Sequence, residues 1–268
     1  MYKVFRQKPM TVLKGTGGQD CLPQVARRIE LLDEAWILPE TGDMSELPIL
    51  YSFRRCPYAM RARLAIRASG LQVEIREILL RDKAPEFLET SPSGTVPCLR
   101  TPEGSIIDES LDVMLWALGE RDPDGWLTPE FGTLDEMLGL VARIDGRFKR
   151  HLDRYKYDTR YPEANCGQER AAAAGILLEL NDHLAKAPWL YGQRASLADF
   201  AILPFVRQFA NVDRDWFDRE NWPSLARWLR DFEASAAFAE VMAKLKVWQA
   251  GDAPVFFGGP SAGPSQIL

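Results

Sequence analysis

The sequence predicts an α/β unit on a mixed four-stranded sheet, βαβαββα over residues 47–119, followed by an all-α domain over residues 131–248. Three observations predict it. Strand-like and helix-like periods alternate through the first stretch; strand signals stop at the segment G-E-R-D-P-D-G-W-L-T-P-E; and the remainder is helical in composition and period. Residues 120–130 read as a linker, 1–46 as an N-terminal extension and 249–268 as a Gly/Pro-rich tail.

The elements follow in order. L-P-I-L-Y-S-F is a short apolar run of strand formers, and P-Y-A-M-R-A-R-L-A-I-R-A-S places Ala62, Ala65, Ile66 and Ser69 at helical spacing before a glycine C-cap at Gly70. L-Q-V-E-I-R-E-I-L alternates apolar and polar residues, so a second strand runs parallel to the first across that helix. A short helix is expected at 84–90. The S-P-S-G loop then leads into T-V-P-C-L-R-T, which P-E-G turns back into S-I-I-D. S-L-D-V-M-L-W-A-L-G closes the unit as a helix capped by Ser110.

Beyond the linker, helices are expected over 131–155, 167–187, 196–213 and 222–246. Ser196 and Asp199, in S-L-A-D, form a capping box with aspartate in place of glutamate, and Pro204 is expected to kink the helix they start. Residues 1–43 carry one amphipathic stretch, Q-V-A-R-R-I-E-L-L-D-E-A-W, and read either as an accessory extension or as an upstream start ahead of Met44. The tail reads as irregular, with Val255, Phe256 and Phe257 able to anchor it on the body.

Composition narrows the function classes. The 268 residues are 46% hydrophobic and 26% charged with a net charge of -5, so no basic surplus exists to hold a nucleic acid backbone. No signal-peptide core or membrane span is evident, and the expected compartment is the cytoplasm. Four scattered cysteines and two histidines make neither a disulfide framework nor a metal site, and no metal is expected.

The chemistry concentrates at F-R-R-C-P-Y-A-M. Pro57 suits the first helical position, which sets Cys56 at the N-cap, where free N–H groups and the helix dipole favour a thiolate; Arg54 and Arg55 add positive charge nearby. Ala59 stands where a CxxC pair would have its second cysteine, so any reaction proceeds with one local thiol. Val96–Pro97 opens a strand, and base rates favour a trans bond there. Glu109 and Ser110 end a strand and begin a helix, forming either a simple cap or an anion site. Cys98, directly after Pro97, reads as a packed strand residue whose side chain points away from the side Val96 presents.

C-P-Y-A followed by M-R-A-R, then G-T-V-P-C-L, then D-E-S, ahead of a helical domain with S-L-A-D, resembles the glutathione S-transferase family, in particular its cysteine-containing, omega-like bacterial branch. The resemblance implies a thioredoxin-like first domain and glutathione as co-substrate. It implies Cys56 as the reacting thiol, Val96 beside a cis Pro97 pairing with the ligand backbone, Glu109 and Ser110 at its γ-glutamyl end, and Lys83 near its glycyl carboxylate. It further implies a homodimer and a small hydrophobic or disulfide co-substrate between the domains, with Tyr155 and Trp216 as candidate contacts, although core packing explains either one alone. With one cysteine the implied reaction is glutathione-dependent thiol transfer or reductive deglutathionylation. Conjugation or lyase chemistry aided by Tyr51 or Ser52 is the alternative enzyme reading, and a non-catalytic interaction module is a third.

Overall fold

In the computed structural model, which describes residues 47–259, a crossover helix α1 (Pro57–Ser69) joins parallel strands β1 (Ile49–Ser52) and β2 (Gln72–Glu77). The helix ends at Gly70, whose positive φ of 70° suits a residue without a Cβ; its N–H donates to Arg67 O. After α2 (Pro85–Thr90), strands β3 (Cys98–Arg100) and β4 (Ile106–Ile107) add antiparallel, and α3 (Ser110–Glu120) packs extensively against α1. Along β1 the side chains alternate, so Ile49 and Tyr51 share one face, where Phe87 of α2 meets Tyr51 with ring centroids 5.2 Å apart.

The four expected strands are present, and a fifth joins them. Phe256–Gly258 (β5) pairs antiparallel with β2, giving the order β4-β3-β1-β2-β5, so the expectation of an irregular tail is corrected. Hydrophobic anchoring alone could not predict this, because the pairing joins segments far apart in sequence. Gly258 is required where the strand ends: a Cβ there would lie 2.2 Å from Leu71 O. Just before β5, Trp248 N–H donates to Glu77 O, and the indole lies over the Arg76 guanidinium at 4.4 Å and edge-on to Tyr51.

The helical half comprises α4 (Leu134–Arg143), α5 (Lys149–Lys156), α6 (Cys166–Leu184), α7 (Leu197–Ala210), α8 (Arg214–Arg219), α9 (Pro223–Ala234) and α10 (Ala236–Val241). Between α4 and α5 the expected continuous helix contains a π-helical turn, Ile144–Phe148. The run expected over 222–246 divides at Ser235, whose Oγ ends one helix by donating to Phe232 O and caps the next by accepting from Phe238 N. Helix α7 is buried along nearly its whole length and runs through Pro204 as one segment.

Its start is the expected capping box. Ser196 N and Ser196 Oγ donate to Asp199 Oδ2 at 2.9 and 2.8 Å, while Leu190 N and Trp228 Nε1 donate to Oδ1 at 2.9 and 3.1 Å. Asp199 is fully buried, and that burial outweighs its four donors, pushing its carboxyl up to about 6.

The amphipathic stretch at 24–36 and Cys21 lie outside the described residues. Among the described residues no helix is long and apolar enough to cross a membrane, and no cluster of His, Cys, Asp and Glu could hold a metal ion.

Candidate active site

Cys56 occupies the N-cap of α1 with extended backbone (φ -73°, ψ 123°), and Pro57 follows at the first helical turn. The local sequence explains the arrangement: proline lacks an N–H that this position would leave unpaired, and its fixed φ starts the helix. Cys56 Sγ donates to Val96 O at 3.7 Å, and Val96–Pro97 is a cis peptide bond, as the family resemblance implies and against the base-rate expectation.

A cleft of about 480 Å³ opens beside this thiol. Its walls include Cys56, Lys83, Val96, Pro97, Glu109 and Ser110, so residues from four separated stretches of sequence converge there. Tyr58, Leu80, Gly94, Thr95 and Asp108 complete the lining. Sequence reasoning passed over these five as site residues. Asp108, within D-E-S, was legible as an acid next to Glu109, but its work lies elsewhere: it accepts from Ser91 Oγ and Ser93 N, both at 2.8 Å, and so holds the S-P-S-G loop against the cleft. Burial raises its carboxyl, but these bonds prevail and hold it below the ordinary value.

The electrostatics at Cys56 differ from the expectation. Burial is the largest influence and pushes the thiol up, opposed by the backbone N–H groups of Ala59 and Tyr58 and then by the charges of Arg63 and Lys149. The charges that act most strongly on the sulfur are those of Arg63 and Lys149. Arg54 is drawn away, its N–H donating to Glu77 Oε1 at 2.8 Å and its guanidinium to Met242 O, while Arg55 lies over the Phe53 ring. Arg63 is buried behind the site, donates to Arg54 O at 2.7 Å, and is itself lowered to about 10 by burial.

Ser110 also differs from its expected role. Glu109 is the N-cap of α3, and Ser110 is its first helical residue, buried, with Oγ accepting from Arg61 Nε at 3.0 Å. The β-region backbone of Glu109 (φ -110°, ψ 131°) puts the cap one residue earlier than a side-chain preference for serine suggests.

The remaining candidates separate clearly. Tyr51 is buried, with its hydroxyl accepting from Arg76 Nη1 at 3.0 Å, and Ser52 is fully buried; neither lines the cleft. Tyr155 and Trp216 both pack on Phe209, as core packing requires, and neither lines the cleft. Cys98 is fully buried in the same cluster as Val96, against the expectation that it points to the opposite side, and burial and the adjacent Asp108 push its thiol up to about 12; Cys56, Cys98 and Cys166 are all free thiols.

Known proteins resemble this chain in the same two parts. Residues 50–125 match the family model for the glutathione S-transferase N-terminal domain, and residues 139–231 match that for the C-terminal domain. The chain is 27% identical over 166 residues to glutathione S-transferase omega-1 of Sus scrofa, covering 61% of this chain and 68% of that protein. It is 26% identical over 214 residues to elongation factor 1-gamma 3 of Oryza sativa subsp. japonica, covering 69% of this chain but 49% of that longer protein. Among solved structures, a glutathione transferase family member from Pseudomonas fluorescens pf-5 with two glutathione bound superposes with a TM-score of 0.64 at 20% identity, covering 75% of this chain and 94% of that one.

Proposed function

Because this chain belongs to the glutathione S-transferase family, we propose that it is an omega-like enzyme that uses Cys56 for glutathione-dependent thiol transfer or reductive deglutathionylation. The observation that carries this reading is that Cys56 lines the same cleft as Lys83, Val96, Pro97, Glu109 and Ser110. Glutathione is the co-substrate. Val96 pairs with its backbone, Glu109 and Ser110 receive the γ-glutamyl end, and Lys83 meets the glycyl carboxylate. The similarity to a transferase solved with glutathione bound supports the assignment.

The reaction has two exchanges. The Cys56 thiolate attacks the glutathionyl sulfur of a mixed disulfide; the S–S bond breaks, and the released thiolate takes a proton. On a glutathionyl thioether the same attack breaks the C–S bond, and the departing carbon is protonated. A second glutathione thiolate then attacks the glutathionyl sulfur held on Cys56, releasing oxidised glutathione and restoring the thiolate. The N–H groups of Tyr58 and Ala59, with Arg63 and Lys149, carry the sulfur's charge in each exchange.

Replacing Cys56 with serine removes the nucleophile while leaving the cleft. Turnover of a glutathione mixed disulfide should fall to background in that variant, and undiminished turnover would refute the mechanism. Conjugation aided by Tyr51 or Ser52 is disfavoured because neither side chain reaches the cleft. The likeness to elongation factor 1-gamma 3 favours a second reading, a glutathione-fold interaction module. Glutathione binding without turnover of any disulfide or thioether would select it. The reading includes a homodimer, which sedimentation would test.

A further inference from the structure

The turn that delivers Cys56 to its helix is held from inside the fold. Cys56 N–H donates to Phe53 O at 3.0 Å, which closes a turn over residues 53–56. Both main-chain groups of Arg54 inside that turn are met by buried charged side chains: its N–H donates to Glu77 Oε1 at 2.8 Å, and its carbonyl accepts from Arg63 Nη2 at 2.7 Å. Glu77 ends β2 beside Ser52 of β1, and Arg63 lies on α1; they are 7% and 1% exposed. Three polar atoms gathered here, Ser52 Oγ, Arg63 Nε and Glu77 Oε2, are buried with no hydrogen-bond partner among the described residues. Apolar side chains would fill the same space without that cost, so the charges themselves call for a reason.

We propose that Arg63 and Glu77 are positioning residues for Cys56: they fix the turn that presents the thiol, and Glu77 moderates the positive charge that Arg63 places behind the sulfur. A carboxylate and a guanidinium that grip one residue by its two main-chain groups leave that backbone little freedom. Their opposite charges also act on one another through a low-dielectric interior. Arg63 favours the thiolate of Cys56, and a carboxylate close behind it cancels part of that effect. Burial pushes the Glu77 carboxyl up, opposed by the Arg54 N–H and then by the charges of Arg63, Arg54 and Arg55. Neither Arg63 nor Glu77 lines the cleft, so the pair acts on the thiol without meeting a ligand.

The inference rests on reading Cys56 as the reacting thiol, and its test needs no glutathione. Alkylation of the full chain by iodoacetamide is followed at Cys56 by peptide mass spectrometry across the neutral and alkaline range, for wild type, Arg63→Met and Glu77→Gln. Glutamine keeps an oxygen for the Arg54 N–H, so Glu77→Gln removes the charge and retains the grip. At about pH 8, Arg63→Met should react about fourfold more slowly than wild type and Glu77→Gln about fourfold faster. One charge moves a thiol by about one pH unit, and the altered strength of the thiolate offsets part of that. Each substitution displaces the whole profile along the pH axis, whereas a loosened turn would speed labelling at every pH in both variants. Opposite displacements support the inference. Displacements in the same direction, either profile unchanged, or rates raised at every pH overturn it. If Arg63→Met does not fold, the profile of Glu77→Gln decides by the same criteria. Turnover of a glutathione mixed disulfide is measured on wild type alongside; its absence overturns the glutathione reading alone, because the alkylation profiles stand without it.

Discussion

Trp228 Nε1 on α9 donates to Asp199 Oδ1 in the first turn of α7 at 3.1 Å, so two residues 29 positions apart in sequence tie two helices to one buried carboxylate. Replacing Asp199 with alanine strands the N–H of Leu190, the N–H and hydroxyl of Ser196 and the indole N–H together. The loss should be on the order of 3 kcal/mol or more in urea unfolding, because each buried donor left unpaired costs more than an average hydrogen bond returns. A loss below about 1 kcal/mol would show that these donors find other partners.

The same carboxyl makes stability depend on pH in an unusual direction. Its folded value of about 6 lies above the ordinary 3.8, so between those values the folded protein holds a proton that the unfolded chain has released. This group's contribution is full below 3.8 and is lost as the pH rises through 6. The stability advantage of wild type over Asp199→Asn, whose amide cannot ionise, should therefore shrink from pH 4 to pH 7. An advantage that grows over that range would contradict the assignment.

Cys56 should label slowly at neutral pH. Burial holds its thiol above the ordinary 9.0, so the rate of iodoacetamide alkylation should rise with pH to a midpoint above that value. Lys149→Met removes one of the opposing charges and should move the midpoint further up. Cys98, fully buried and raised to about 12, should stay unlabelled in the folded protein throughout. A Cys56 midpoint below about 8 would mean that the N–H groups and cations outweigh burial.

Trp248 packs on the cluster that holds Tyr51, Phe87 and Val96, with Cys56 at its margin, and covers the Arg76 guanidinium. Replacing it with alanine removes both the apolar cover and the cation–π contact, and should cost about 1–3 kcal/mol by denaturant unfolding. A change within about 0.5 kcal/mol would mean that the tail lies on the sheet without adding to its stability.

Local chemistry made much of this readable in the sequence. Cys56–Pro57 announces a helix start, Gly70 a helix end and S-L-A-D a capping box, because in each the backbone demands a particular residue type within a few positions. The cleft was legible as three separated motifs that the α/β order brings to one end of the sheet. What the sequence hid depends on distance along the chain. Arg61 pairs with Asp145 across 84 positions, Lys149 reaches Cys56 from another domain, and β5 finds β2 across most of the fold. Arg54 and Arg55 were misleading for the converse reason: neighbours in sequence, they are drawn aside by Glu77, Met242 and Phe53.

The fifth strand also decides how this protein meets other chains. Without it, the six residues of β2 would present a row of unsatisfied amide and carbonyl groups long enough to template a strand from a neighbouring molecule. With β5 in place, the borders of the sheet are β5, three residues long, and β4, only two, both too short to nucleate such a pairing. A protein carrying this segment should therefore resist the edge-to-edge association that leads to fibrils, and trimming it should convert a well-behaved molecule into an adhesive one.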